Sequence, residues 1–347
     1  MYSREIQEKR QKPRHEPVEN GIPVQGTWTE AFDEADLSSV HRPYSFPLLK
    51  RVKNLMIKEW ESFIIQDDRF YLFAKFCNFK YYCTAIINIY NMETKELIEY
   101  TKHIPGGSWR LPGNLHNDSL VGRSSDFFFK IHTWLDHKSI EFEMDIKEYA
   151  SRPAISVRAA FDLAEGKTTP MAVSLLFSER RNMYAYKALA AVRGELILGG
   201  QHIQLEPSKT SGIFCDFKGF FPGRKHYVWG SAMSFDKLGK RFGFTLGENH
   251  TKEPYSNNEN ALWIDGRLTP LPPVKITQNG NQLSDWIIQD MEGMVDLVFT
   301  PKELGYNMSS NQEHSLGFYN GQVLGSEGEE VTVRNVWGTG ERLYLRV

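Results

Sequence analysis

One carboxyl group of the chain lies in sequence surroundings that suit acid catalysis. Asp216 lies between Cys215 and Phe217, and the sequence continues with an apolar, aromatic stretch at 219–221. Apolar surroundings raise the pKa of a carboxyl group, and a protonated carboxyl group can donate a proton to an alkene or polarise a carbonyl. A second interpretation stays open, because an aspartate shortly before a glycine commonly forms a turn and binds backbone N–H groups.

Lys187 is a second candidate for chemistry, and its role depends on the direction of its side chain. Alternation along a strand places Tyr184 and Tyr186 on one face and Lys187 on the other. An inward lysine would need a partner such as Asp216. The pattern favours the other alternative, an outward and solvated side chain.

Further candidates precede or occupy strand-like runs in the second half of the chain. Glu259 and Asn260 follow a polar stretch, so they could project at the mouth of a barrel or cap a loop. Aromatic and imidazole side chains could supply apolar walls with one polar group each, although core packing explains them equally well. The ligand-binding candidates of this kind are Tyr227, Trp229, Trp263, His226 and His314.

Motifs for metals and nucleotides are missing from the sequence. It contains no HExxH, no GxxxxGK[ST] loop, no GxSxG elbow and no clustered Cys/His spacing. The three cysteines, Cys77, Cys83 and Cys215, form no CxxC motif and are interpreted as buried thiols in a reducing compartment. The sequence therefore predicts no metal site and no cofactor.

The elements that must position these residues are short strands. The run 140–146 alternates four apolar side chains with three acids, as a half-buried strand does. Four dipeptides that tolerate the positive φ of tight hairpins lie between strand-like runs. They are Gly199-Gly200, Asp265-Gly266, Asn279-Gly280 and Asn320-Gly321. Barrel closure removes exposed edges, so the sequence predicts a mainly β chain with two consecutive antiparallel β-barrel lobes.

Changes in composition divide the chain into three parts. Residues 1–42 are charged and interrupted by prolines, which indicates an extended leader that could contain one short helix. We place an N-terminal lobe at 43–207 and a C-terminal lobe at 208–347, and the latter contains most candidate site residues. The Gly- and Pro-rich segment 105–113 is a long loop, either a lid or site wall or a surface excursion without a role.

The charge balance argues against polyanionic partners. The 347 residues include 41 Lys and Arg against 43 Asp and Glu, a formal net charge of -2, so no net attraction to nucleic acid or anionic lipid is expected. The apolar runs are too short to span a bilayer, and no export signal is visible. We therefore predict a cytoplasmic protein without a transmembrane segment, whose partner is a neutral small molecule.

Several sequence blocks resemble the recurring signature of an uncharacterised domain-of-unknown-function family. The blocks are 215–222, 227–231, 258–266, 295–301, 317–321 and 337–341. The resemblance covers about 43–347 and leaves the leader outside. That family is similar to the two-lobed lipocalin-like group of carotenoid hydratases, tocopherol cyclase and fungal Diels-Alder cyclases. The resemblance implies two lipocalin-like barrels with an apolar ligand site in or between them, and it transfers no activity.

Three functional hypotheses follow. The first is a cofactor-independent isomerase, cyclase or hydratase acting on a lipophilic small molecule, with Asp216 as proton donor and with Glu259 and Lys187 as further catalytic candidates. The second is a carrier that binds such a ligand without turnover. The third is a carbohydrate-binding or carbohydrate-processing protein, because Trp-rich β-proteins with paired acids also handle glycans.

Overall fold

The chain folds into two curled antiparallel β-sheets that follow one another in sequence. The computed structural model describes residues 2–12, 15–44, 49–164, 166–222, 224–248, 251–305 and 312–346. The sheets are consistent with two consecutive barrel lobes, which confirms the predicted fold class. The helices are α1 (Tyr2–Lys9), α2 (Lys50–Met56) and a 3-10 turn at Leu135–His137. Within the described ranges, no helix has the length and apolar character needed to cross a membrane.

The first sheet contains thirteen of the described strands and forms the first lobe. Its strands are β3 (Gly26–Trp28), β4 (Lys58–Gln66), β5 (Phe70–Asn78), β6 (Tyr82–Asn91), β7 (Glu96–Pro105), β8 (Asp118–Arg123), β9 (Phe127–Trp134), β10 (Ser139–Ile146), β11 (Ile155–Asp162), β12 (Met171–Ser178), β13 (Arg181–Leu198), β14 (Gln201–Leu205) and β15 (Ser211–Gly219). The order is β7-β6-β5-β4-β15-β13-β11-β10-β9-β8, with β12 and β14 paired to β13 and β3 paired to β12. Two short strands, β1 (Val18–Glu19) and β2 (Ile22–Pro23), form a separate ribbon.

The second sheet contains nine of the described strands and forms the second lobe. Its strands are β16 (Arg224–Phe235), β17 (Arg241–Glu248), β18 (Ala261–Ile264), β19 (Arg267–Pro270), β20 (Val274–Gln278), β21 (Trp286–Asp290), β22 (Val295–Gly305), β23 (Gln312–Leu324) and β24 (Glu330–Arg346). The order is β19-β18-β17-β16-β24-β23-β22-β21-β20. At the end of β17, a Glu248 carboxylate oxygen accepts a 2.8 Å hydrogen bond from the Ile276 N–H of β20, which helps to curl the sheet.

The predicted hairpin turns have mixed outcomes. Gly199-Gly200 and Asp265-Gly266 have positive φ at both positions and connect β13 to β14 and β18 to β19, as predicted. Asn279-Gly280 lies in a longer connection between β20 and β21. Asn320-Gly321 lies inside β23, where the register shifts and Gly321 has a φ of 130°. The prediction of a turn at 320–321 is therefore wrong, because this glycine serves a bulge.

Two faces of the first sheet bury different cores. The lobe core lies inside the first sheet and includes Phe63 and Phe142, whose rings stack with centroids 4.7 Å apart. The inter-sheet layer is the buried cluster between the two sheets, which Trp60 and Phe217 of the first sheet form together with Trp229 of the second. Because side chains alternate along a strand, β4, β13 and β15 contribute to both cores.

The leader packs against both lobes. The Tyr2 backbone N–H donates a 2.9 Å hydrogen bond to Glu292 of the second lobe, and β3 pairs with β12 of the first. Phe32 is 1% exposed and packs edge-on against Tyr184 at 5.5 Å between ring centroids. The short helix was expected. The folded body, however, includes the leader, because its apolar side chains complete the lobe core.

The chain passes from the first sheet to the second at a different position from the predicted boundary between the lobes. β15 pairs with β13 and β4, so it belongs to the first sheet, whereas the boundary at 207/208 assigns it to the second lobe. The sheets change between Gly219 and Arg224. The division into parts 1–42, 43–207 and 208–347 remains a prediction about domains.

Candidate active site in the first lobe

A cavity of about 490 Å³ opens at one end of the first lobe. Leader residues 34–38, the start of α2 and residues 110–114 form much of its wall. The loop predicted at 105–113 thus contributes a wall to a cavity. Nine charged side chains line the space: Glu34, Asp36, Lys50, Arg51, Glu59, Lys80, Arg110, Asp118 and Lys218.

Asp216 lies inside the lobe, next to a second acid. It is in the middle of β15, directly opposite Glu61 of β4. Residues opposite one another in an antiparallel pair share a face and have Cβ atoms roughly 4.5–5.5 Å apart. Both side chains are fully buried on the face of the lobe core. The interpretation of Asp216 as a turn residue is therefore wrong, since β15 continues to Gly219.

The two carboxyl groups have no direct polar contact with the described residues. None of the four oxygen atoms of Glu61 and Asp216 has a hydrogen-bond partner among the described residues. Within the described residues, no nitrogen atom of a Lys, Arg or His side chain lies within 4 Å of a carboxyl oxygen of Glu61 or Asp216. An isolated buried carboxylate is costly, so such a group normally binds a proton or a ligand.

Burial raises the pKa of both acids. It raises the pKa of Asp216 to about 6, although nearby Lys218 opposes the shift. The pKa of Glu61 is raised well above its ordinary value, first by burial and then by the charge of Asp216. Two carboxyl groups held close together do not both ionise readily, because their negative charges repel. They titrate as a coupled pair, so the protonation state describes the pair and not one residue. Near neutral pH the pair therefore retains a proton that it can donate.

Lys218 and Glu59 connect this pair to the cavity. They lie opposite each other, two residues along β15 and β4 from Asp216 and Glu61, and therefore on the same face. Both line the cavity. Glu59 forms an ion pair with Lys80, whereas the Lys218 ammonium donates a hydrogen bond to the Pro112 carbonyl oxygen. The acid pair thus lies behind the cavity wall, two residues further along the same face of β4 and β15.

Tyr184 completes the polar group inside the lobe. It is fully buried on β13, opposite Lys218. Burial raises the pKa of its phenol far above the ordinary value, and the charge of Asp216 raises it further. The hydroxyl group therefore remains protonated and can donate a hydrogen bond near the two acids.

Lys187 and Glu259 form a separate site on the opposite face of the sheet. Lys187 Nζ lies 2.7 Å from Glu259 Oε2, and both side chains are fully buried in the inter-sheet layer. The ammonium also contacts the Glu259 carbonyl oxygen at 3.1 Å and the Thr245 hydroxyl at 3.4 Å. The prediction of an outward Lys187 is wrong, and its partner is Glu259 instead of Asp216, because those two acids lie on different faces.

A second ion pair crosses the same layer. Lys75 of β5 contacts both carboxylate oxygens of Glu341 at 2.6 and 2.9 Å. Tyr227 and Trp229 are buried in this layer, and burial together with the charges of Glu259 and Glu341 raises the pKa of the Tyr227 phenol. The layer contains closely paired charges among aromatic rings.

The remaining predicted ligand-binding residues have structural contacts. The Asn260 side-chain carbonyl accepts a 2.7 Å hydrogen bond from the Gly247 N–H. Trp263 donates its indole N–H to the Thr169 carbonyl at 2.8 Å. His314 contacts the Thr339 hydroxyl at 2.6 Å, and burial lowers its pKa to about 4, so its ring is neutral at physiological pH. His226 stacks on Tyr344 with ring centroids 4.6 Å apart.

The structure therefore brings Lys187 and Glu259 together and places Asp216 on the opposite face of the sheet. None of the nine predicted site residues lines the first-lobe cavity itself, and only Asp216 belongs to the buried group behind its wall. Glu61 and Lys218 were missed as functional candidates. Glu61 had a readable signal, because an acid lies in register with the apolar side chains Phe63 and Ile65 on one face of a strand.

The comparisons with known proteins agree with this architecture. The family model described as "Domain of unknown function (DUF2804)" matches residues 7–346, so the chain belongs to that family. The match includes most of the leader, so the prediction that the leader lies outside the family is wrong. No curated protein matches the chain.

A solved structure supports the more distant resemblance. The crystal structure of kievitone hydratase from Nectria haematococca is similar with a TM-score of 0.56 and 14% sequence identity. The similarity covers 83% of this chain and 88% of that one. At this identity the comparison establishes a shared fold and a distant similarity to that hydratase, and it assigns no residue a role.

Proposed function

We propose that the first lobe catalyses the acid–base addition or removal of water, or a related isomerisation, at a carbon–carbon double bond of a small molecule. The observation that carries the proposal is the buried pair Asp216 and Glu61, whose carboxyl oxygens have no hydrogen-bond partner in the part of the chain that the structure describes. The fold shared with a hydratase supports the same class of reaction. The proposed step uses only side chains and water.

The pair has the properties that such a step requires. A raised pKa keeps one carboxyl group protonated, so it can donate a proton, while its ionised neighbour can accept a proton from water. Tyr184 can orient the reacting groups by a hydrogen bond. The lobe core excludes bulk water, so the charge changes occur in a medium where they interact strongly.

The substrate we propose is lipophilic with at least one polar group. The interior of the lobe is aromatic and aliphatic, whereas the cavity wall carries charged side chains. The three free cysteines are buried and fit a reducing compartment, which supports a cytoplasmic location. A carrier that binds such a molecule without turnover is the alternative outcome of the test below.

The test compares Asp216→Asn and Glu61→Gln with wild type and with the control Glu141→Gln, a half-buried acid on β10. Kievitone and a panel of lipophilic alkenes and alcohols are screened by mass spectrometry for gain or loss of one water. We expect Asp216→Asn to reduce turnover about 10²–10⁴-fold, which is the usual contribution of a positioned acid or base. Unchanged turnover in Asp216→Asn would eliminate Asp216 as a catalytic residue, and ligand binding without turnover in wild type would establish a carrier.

A measurement without substrate tests the protonation itself. Infrared difference spectra between pH 5 and 8 should show a C=O band of a protonated carboxyl group that persists near neutral pH. The band should change in Asp216→Asn and Glu61→Gln and remain in Glu141→Gln. A spectrum in which every carboxyl group has ionised by pH 5 would contradict the raised pKa values.

A further inference from the structure

Lys218 is a buried cation with spare hydrogen-bonding capacity on the cavity wall. The side chain is 2% exposed and lines the cavity. Its ammonium group has three N–H donors, and the Pro112 carbonyl is its one hydrogen-bond acceptor among the described residues. No carboxylate of those residues lies within ion-pair distance of it. By contrast, the buried Lys187 and Lys75 each contact a carboxylate.

Among the described residues of β4 and β15, Lys218 is also the cation nearest in register to the acid pair. It shares a face with Asp216 at a separation of two residues, or roughly 7 Å along the strand. A separation of that length matches a chain of a few atoms between the ammonium group and the carboxyl pair. A substrate oxygen bound at Lys218 would thus place its adjacent carbon atoms against the acids.

The sign of this charge selects among reaction types. Protonation of an isolated alkene builds positive charge on carbon, and a buried ammonium group at this distance opposes it because the low dielectric screens the repulsion poorly. Conjugate addition of water builds negative charge on a carbonyl oxygen instead. A positioned cation stabilises that charge.

We propose that Lys218 binds the carbonyl oxygen of the substrate, and that the substrate is an α,β-unsaturated carbonyl compound or the corresponding β-hydroxy compound. This inference rests on the proposed function and names its substrate class. Lys218 acts as a catalytic residue by contacting the oxygen on which charge develops.

The proton balance of the reaction closes within the site. The ionised carboxyl group of the pair takes a proton from water, and the water oxygen forms a bond to the β-carbon. The π electrons move to the carbonyl oxygen and give an enolate held by Lys218. The protonated carboxyl group then donates its proton to the α-carbon, and the C=O bond re-forms. The pair gains one proton and loses one, and the reverse sequence removes water.

The experiment uses benzalacetone as the conjugated probe, β-methylstyrene as the isolated alkene and benzylacetone as the saturated ketone. Wild type is compared with Lys218→Met and with the control Lys209→Met, which changes an exposed lysine that does not line this cavity. Thermal unfolding establishes that Lys218→Met is folded, which we expect because methionine preserves the apolar stem.

Two readouts are expected to change in Lys218→Met and not in Lys209→Met. The isotope-edited infrared C=O stretch of bound benzylacetone should lie at lower frequency in wild type, and the shift should be lost. Hydration of benzalacetone should fall about 10²–10³-fold, as after loss of an oxyanion donor. A carbonyl shift and a rate that both survive in Lys218→Met would overturn the inference.

The alkene probe separates the two proposals. Hydration of β-methylstyrene that depends on Asp216 and not on Lys218 would overturn the carbonyl inference and leave the acid–base function intact. A Lys218-dependent carbonyl shift without turnover of any probe would support the binding site and overturn the hydratase. We expect benzalacetone alone to gain water.

Discussion

The two faces of the first sheet bury charged residues in opposite ways. On the face toward the second sheet, Lys187 and Lys75 each contact a carboxylate, at 2.7 and 2.6 Å. On the face toward the lobe core, Asp216 and Glu61 lie side by side, and no cationic side chain of the described residues forms an ion pair with either acid within 4 Å. β15 contributes side chains to both faces, so one strand borders both the paired charges and the acid pair.

All four groups are buried, so burial alone does not distinguish them. A buried charged residue with a partner stabilises the structure here, whereas a buried acid without one is available for chemistry. A buried ion pair offsets much of its desolvation cost and fixes the contact between the sheets. Two adjacent acids cannot offset theirs, and the chain accommodates them by keeping a proton. Sites that cost stability without a structural return are expected where a protein carries function.

The largest expected effect comes from breaking the paired arrangement. Glu259→Gln leaves the Lys187 ammonium buried without its carboxylate and should lower the free energy of unfolding by about 3–5 kcal/mol. Urea denaturation at pH 7 measures the loss. The double variant Lys187→Met, Glu259→Gln serves as the control and should lose less than the single variant. Equal stability of Glu259→Gln and wild type would remove the contrast between the faces.

Removing a charge from the acid pair should raise the free energy of unfolding instead of lowering it. Because the pKa of Asp216 is higher in the folded chain, the folded state binds more protons, and stability is lost as pH rises from about 4 through the folded pKa. A shift to about 6 corresponds to a loss on the order of 3 kcal/mol across that window. Asp216→Asn should remove this loss and be more stable than wild type at pH 8.

Unfolding free energies at pH 5 and pH 8 test this sign. Glu141→Gln on β10 again provides the matched control, since that acid is partly solvated. The raised pKa would be refuted if the free energy of unfolding changed from pH 5 to pH 8 by the same amount in wild type and in Asp216→Asn. Such a result would make the two faces energetically alike.

The smallest effect is expected where charges meet in solvent. Lys209 and Glu206 form an exposed pair with a 3.1 Å separation. Glu206→Gln should change the free energy of unfolding by less than about 1 kcal/mol, because solvent and salt screen such pairs. Urea denaturation at low and high salt measures this. A larger effect would show that exposure does not explain the difference from Lys187 and Glu259.

The sequence predicted the local structure better than the long-range structure. The alternation at 140–146 corresponds to β10, and two of the hairpin dipeptides occupy the expected turns. These features depend on periods of two residues and on positive φ, which neighbouring residues specify. The bulge at Gly321 was mistaken for a turn, because a glycine with positive φ serves either feature.

The candidate site was predicted only in part, since its contacts join distant segments. Asp216 was selected correctly as a buried acid, but Glu61 lies on β4, far away in sequence. Likewise, the partner of Lys187 depends on how the two sheets pack. Alternation along a strand predicts which side chains share a face. It does not predict which sheet or core that face packs against, because this depends on the tertiary structure.

The pairing of β4 with β15 also affects how the chain folds as it is made. β4 is among the first strands of its sheet and β15 is the last, so at roughly 5–20 residues per second β4 waits on the order of 10 s for this partner during synthesis. Until then one edge of a strongly apolar strand is open to other chains. An inward-pointing charge discourages edge-to-edge aggregation. Glu61, ionised while water still reaches it, can thus protect the growing chain before it contributes to the finished site.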